Sequence, residues 1–340
     1  MDTLNYPIWY NYNIIVKTGS YTIYDANEDL IYSGYAKSLT DNEYVVINPR
    51  NIFMNYLSPY AVLDNMGDGE VATNNTQFTT FYIRDASITT TTDYRYTINT
   101  WLDWSYSKEN MKGMLSTGAS FISHPINFHW SKQQTIPFTW FCNKDVSSAN
   151  SLTYNYTKID GTEGETPITI YMEDQVINTI TMTPESYTSF EIRNNGLTLL
   201  SWSSENERCG YGALYYLNAS GGWDSFLLEH NIEEQKTLDR QEWSSGAEYI
   251  SQTPDKQYIT KSITTKYSTN TGWLSDTASQ KLYDNLLTSS TIYFEKFGDE
   301  RLFIPVYFSS TDWTKKEWKN GRKLISYDLS FTECNHKINS

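Results

Sequence analysis

The stretch from Cys209 to Leu228, CGYGALYYLNASGGWDSFLL, constrains the fold of this chain more than any other. Two apolar-aromatic runs, Ala213 to Leu217 and Trp223 to Leu228, flank the short loop Asn218-Ala219-Ser220-Gly221-Gly222. Strand-forming residues on both sides of a Gly-rich loop predict a β-hairpin. In the first run Ala213, Tyr215 and Leu217 alternate with Leu214 and Tyr216, so both faces are apolar or aromatic. Such a strand belongs in the middle of a sheet covered on both sides, because a solvent-facing strand would place polar residues at every second position. Gly221 and Gly222 are assigned to the turn.

The same period of two recurs along the chain. Ser20 to Tyr24 and Asp29 to Ala36 flank the turn-forming Asp25-Ala26-Asn27-Glu28 and predict a second hairpin. Glu43 to Asn48, Phe78 to Arg84 and Tyr94 to Tyr106 are further strands, with residues 64–77 a polar loop. After Phe121 come Ile136 to Phe141 and then a polar stretch, Asn143 to Gly164, read as a separator. Pro167 to Met172 and Gln175 to Met182 are expected to pair around Glu173-Asp174. Ser189 to Ile192 and Leu197 to Trp202 pair around Arg193-Asn194-Asn195-Gly196, where Asn-Gly is the strongest short hairpin signal. The last part begins near Ser204. It adds a long strand at Tyr258 to Tyr267 and strands at Thr291 to Phe294, Leu302 to Phe308 and Leu324 to Phe331. One helix is predicted near 277–288: Thr277 and Gln280 form a capping box, and Ala278, Leu282 and Leu286 share a face. The reading is mainly β, in three parts: 1–120, 121–203 and 204–340.

Composition supports this and excludes several functions. With 28 Tyr and 11 Trp among 340 residues the chain has ample surface to bury, which excludes compositional disorder. Sheet packing accounts for the tyrosines. A net charge of -14 argues against a protein that wraps nucleic acid through its general field. The local basic stretch Lys315 to Lys323 reads equally as a solvated loop between strands. No signal-peptide pattern and no membrane-length apolar run occurs, so no membrane span is expected. Cys142, Cys209 and Cys334 form no CxxC pair, so synthesis in a reducing cytosol fits best.

No motif for chemistry stands out. HExxH, GxSxG, P-loop and GxGxxG patterns are absent, and His124 and His129 lack local partners for zinc. Asp224 beside Trp223 and Asp103 beside Trp104 have the acid-plus-Trp look of sugar sites, yet acids near hairpin ends also serve turns and solubility. No catalytic, metal or cofactor residue is assigned, and the chain is read as non-enzymatic. Exposed Trp and Tyr would suit a carbohydrate-stacking face or protein–protein contacts, and the sequence leaves both open.

From Tyr211 to Asp224, an aromatic strand followed by Leu-Asn and Gly-Gly-Trp-Asp resembles tail-associated virion proteins of crAss-like phages of Bacteroides-type hosts. Short fragments agree in order: Tyr6-Pro7-Ile8-Trp9, Ile31 to Ala36, Ile47-Asn48, Asn55-Tyr56-Leu57, Trp273 to Asp276, Leu286 to Ser290 and Ile304-Pro305-Val306. The resemblance implies two or three β-sandwich modules, the C-terminal one flanked by its helix as in tail tube and hub proteins. It also implies a ring or hub subunit in the virion tail or neck, made in the host cytoplasm and contacting copies of itself and portal or tail proteins. Phage DNA would meet it at most in transit, past an acidic wall that repels phosphates. A receptor- or glycan-binding virion module is the alternative. The subunit-interface candidates are Trp9, Tyr216, Trp223, Trp273, Trp313 and Trp318.

Overall fold

Strands dominate the computed structural model, as the alternation predicts. The structure describes residues 6–7, 14–25, 29–38, 43–47, 52, 71–74, 79–85, 92–98, 119–121, 126, 129–142, 152–167, 176–194, 196–218, 222–244, 256–289, 291–298, 302–309, 315–320 and 322–334. The first part contributes β1 (Tyr6–Pro7), β2 (Ile14–Lys17), β3 (Gly19–Tyr24), β4 (Leu30–Ala36), β5 (Tyr44–Ile47), β6 (Val71–Asn74), β7 (Thr79–Asp85) and β8 (Thr92–Ile98). Five of these form a sheet in the order β1-β8-β7-β3-β4, and β2 pairs with β5. The expected β3–β4 hairpin is present. Its turn is held by Asp25, whose carboxylate accepts the Asp29 amide at 2.8 Å.

The middle part supplies β9 (Ala119–Phe121), β10 (Ile136–Cys142), β11 (Leu152–Lys158), β12 (Glu163–Pro167), β13 (Val176–Met182), β14 (Tyr187–Asn194) and β15 (Leu197–Ser203). Together with β6 from the first part they build two four-stranded sheets, β6-β13-β10-β9 and β12-β11-β14-β15. The Asn-Gly hairpin is β14–β15, with Gly196 at φ +80°, a conformation glycine adopts without strain. Three expectations change. Residues 64–77, expected as a loop, contain β6, which pairs with β13. The separator at 143–164 contains β11, whose Tyr154 and Tyr156 alternate with polar residues and whose partner β12 follows a tight turn. The strand β13 pairs with β10 and β6, and the turn proposed at Glu173-Asp174 lies outside the described residues.

The last part holds β16 (Gly212–Leu217), β17 (Trp223–Leu228), β18 (Glu233–Ser244), β19 (Lys256–Asn270), β20 (Leu274–Ser275), α1 (Asp276–Lys281), β21 (Ile292–Lys296), β22 (Ile304–Phe308), β23 (Lys315–Asn320) and β24 (Arg322–Glu333). Its nine-stranded sheet runs β17-β16-β21-β22-β24-β19-β18, with β20 and β23 paired to the other end of β24. The opening hairpin is β16–β17, and β16 is an inner strand buried on both faces, as its pattern demands. Its two faces enter different cores. Leu214 and Tyr216 join a cluster with Phe294, Phe331, Leu282 and Leu286, while Ala213, Tyr215 and Leu217 join Trp223. The basic stretch at Lys315 to Lys323 is a paired strand and the start of the next, not a loop. Lys316 and Lys323 are each tied to a carboxylate, Asp328 and Asp276, at 2.7 Å.

The predicted helix is α1, continued by a π-helical turn, Leu282–Leu287. Ser275 rather than Thr277 caps it, accepting the Ala278 amide at 3.2 Å, and Gln280 bonds Asp284 instead of reaching back. So short a helix is not stable alone. Leu282 and Leu286, both fully buried, each contribute about 1.5–3 kcal/mol toward holding it on the sheet.

Candidate functional site

The β16–β17 hairpin is a structural joint. At its loop, Asn218 accepts the Gly222 amide through Oδ1 at 3.0 Å and donates through Nδ2 to Asp224 at 2.7 Å. Asp224 is buried, so it has no surface on which to meet a sugar. The far side of β17 is closed by residues preceding and within β10. Thr139 Oγ1 accepts the Trp223 amide at 3.0 Å, and Gln134 Nε2 donates to Ser225 at 2.9 Å. Thr135 donates its amide to Tyr215 Oη at 3.1 Å, and Tyr215 donates to Glu295 at 2.5 Å. A terminal strand thus has its open edge covered, the usual protection against stray pairing. Tyr216 and Trp223 are completely buried within their own chain and present no side-chain surface to a neighbour. Desolvation by burial, and secondarily the nearby carboxylates Glu295 and Asp224, push the Tyr215 and Tyr216 hydroxyls well above their ordinary pKa. Asp103, Trp104, Trp9 and Trp313 lie outside the described residues.

Trp273 and Trp318 are brought together on the surface. Their ring centroids are 6.4 Å apart, and they are 55% and 52% exposed. Trp273 sits in the link between β19 and β20, whose backbone is tightly held. Thr271 donates its amide to the Tyr327 carbonyl and accepts the Tyr327 amide through Oγ1, both at 2.9 Å. Asn270 Oδ1 accepts the Gly272 amide at 2.8 Å. Gly272 has φ +71°, a backbone conformation that favours glycine. A large apolar ring is therefore displayed from a rigid base.

Beside it lies a cleft of 270 Å³ lined by His129, Arg208, Glu229, His230 and Trp273. The side chains of His129, Arg208, Glu229 and His230 are all exposed and form no ion pair or hydrogen bond with other described residues. The sequence marks Trp273 and Trp318 but not this company, which comes from separate segments with no common motif. A larger polar hollow of 660 Å³ lies on the outer face of the β11–β14 sheet, where Asn155 sits opposite Glu191 and Glu165. Arg193 is already paired there with Glu191 through its Nε at 2.7 Å.

A second exposed feature is the β18–β19 ribbon. The two strands pair from Glu233–Ser268 to Ser244–Lys256, yet β24 reaches only Lys266 to Asn270 of β19. Beyond that root the ribbon has no third strand among the described residues. Glu233 to Asp239 of β18 are exposed at every position, so the strand offers both faces as well as its outer edge. The alternation that betrays β19 is absent from EEQKTLDRQEWS, and the sequence gives no strand signal there.

No group of three or more His, Cys, Asp or Glu side chains is placed to hold a metal among the described residues. No described helix is long and apolar enough to cross a membrane. No family model, curated protein or solved structure matches the chain.

Proposed function

We propose that this chain is a non-enzymatic virion structural protein, a tail or neck ring or hub subunit that assembles with copies of itself around a DNA-ejection channel and links portal, tail and appendages. The β18–β19 ribbon carries the reading. A two-stranded ribbon is marginal by itself in water, and this one extends on the order of 30 Å past its last sheet contact. Glu233 to Asp239 of β18 expose both faces beside an outer edge unpaired among the described residues, which a neighbouring copy can cover by strand addition or by packing. Repetition of such a contact by rotation closes a ring. The net charge of -14 supports a channel that lets DNA pass without holding it.

Shortening the ribbon tests this directly. Asp239 lies opposite Ser262, so replacing the segment between them with an Asn-Gly turn keeps the register at the root. Sedimentation of the full chain is expected to show a discrete oligomer, and the shortened chain a folded monomer. Identical sedimentation of both chains would remove the ribbon from assembly and with it the main support for the reading.

A further inference from the structure

We propose that the cleft beside Trp273 binds a neutral saccharide, with one pyranose ring stacked on the Trp273 indole. The sugar hydroxyls are met by Arg208, Glu229 and the two histidines, and Trp318 extends the platform toward an adjoining sugar unit. Three observations carry this. First, an indole 55% exposed is displayed by a backbone locked through Asn270, Thr271 and Gly272, so stacking on it costs little ordering. Second, the same cleft gathers an Arg, a Glu and two His whose side chains are unused by other described residues. Arg donates, the carboxylate accepts and a neutral imidazole does both, which matches vicinal hydroxyls that donate and accept at once. Third, one fixed positive and one fixed negative charge line the cleft, so it favours a ligand without net charge. A phosphate or carboxylate ligand would face Glu229, and a cation would face Arg208.

Size and shape agree. The volume of 270 Å³ is below the roughly 300–1,000 Å³ of pockets for drug-sized ligands and suits a single ring. Trp318, outside the cleft but 6.4 Å from Trp273 by ring centroid, gives the stacking surface a second station. The lining sets Leu227, Leu274 and Ala278 beside the four polar side chains, the pairing of apolar wall with a few convergent polar groups that small-ligand clefts show. The inference does not depend on ring assembly.

Titration of the full-length protein with methyl glycosides of neutral hexoses and N-acetylhexosamines, and with their disaccharides, followed by tryptophan fluorescence and calorimetry, tests it. At least one sugar is expected to bind saturably, more tightly as the disaccharide. Trp273→Ala and Glu229→Gln should each weaken it at least about tenfold. Trp318→Ala should weaken the disaccharide and leave the monosaccharide unchanged. These side chains are exposed, and unchanged thermal unfolding of each variant shows that the fold is intact. Absence of saturable binding by every sugar, or binding unaltered in Trp273→Ala, overturns the proposal. So does a loss of self-association in Trp273→Ala without sugar binding by the parent, which would assign this surface to a second copy of the chain.

Discussion

Tyr215 and Tyr216 are adjacent on one strand and equally buried, yet their hydroxyls stand in opposite situations. Tyr215 Oη links the Thr135 amide to Glu295, whereas Tyr216 Oη has no hydrogen-bond partner among the described residues. Tyr215→Phe is expected to lower stability by about 1–3 kcal/mol, because it leaves a buried amide and carboxylate short of a partner. Tyr216→Phe removes an unpaired hydroxyl and is expected to be neutral or slightly stabilising, and chemical denaturation of the two variants checks the contrast. Both hydroxyls have raised pKa values from desolvation first, so the folded chain retains their protons longer than the unfolded chain. Stability from this source is fully present below the unfolded value of about 10 and falls as pH rises above it toward the raised folded values. Denaturation midpoints between about pH 8 and about pH 11 should therefore fall steeply at the alkaline end, and less steeply in Tyr215→Phe. At this scale the sequence was informative about residue type and silent about company. Trp273 and Trp318 stood in one group of interface candidates with Tyr216 and Trp223, and residue type alone does not separate the exposed pair from the buried one. Tyr216 and Trp223 belong to the same class of large aromatics, and only the sheets that cover them show that they are interior. His129, Arg208 and Glu229 meet through tertiary structure and carry no local signal.

At the scale of elements, legibility followed the hydrophobic period. β16 and β19 were readable because one strand is apolar throughout and the other alternates. β18 escaped because Glu233 to Asp239 are exposed at every position and have nothing to alternate, and β11 because Tyr154 and Tyr156 are diluted by polar neighbours. The helix was placed correctly from Leu282 and Leu286, but its start was not, since Ser275 and Thr277 both belong to the residue types that cap helices. Ser275→Ala is expected to cost about 1 kcal/mol, while Leu286→Ala should cost about 2–5 kcal/mol because it opens a cavity in the largest core. Thermal unfolding of both variants measures the ratio. Comparable losses would mean that α1 is held by its cap rather than by its packing.

For the molecule as a whole, β24 is the organising strand. One half pairs with β22 and β19 and the other with β23 and β20, so a single chain segment ties the ribbon root, the Trp273 link and the helix together. The ribbon and the Trp273–Trp318 surface are thus anchored to one strand. The acidic character of the chain adds an expectation at this scale: purified protein should not retain duplex DNA at physiological salt, which a filter-binding assay would show. The central claim is assembly. Electron imaging of the purified full-length chain at micromolar concentration tests it most directly. Closed particles with rotational symmetry and a central opening, each copy's β18–β19 ribbon lying on its neighbour, are the expected result, and a uniform population of single copies with the ribbon free would contradict it.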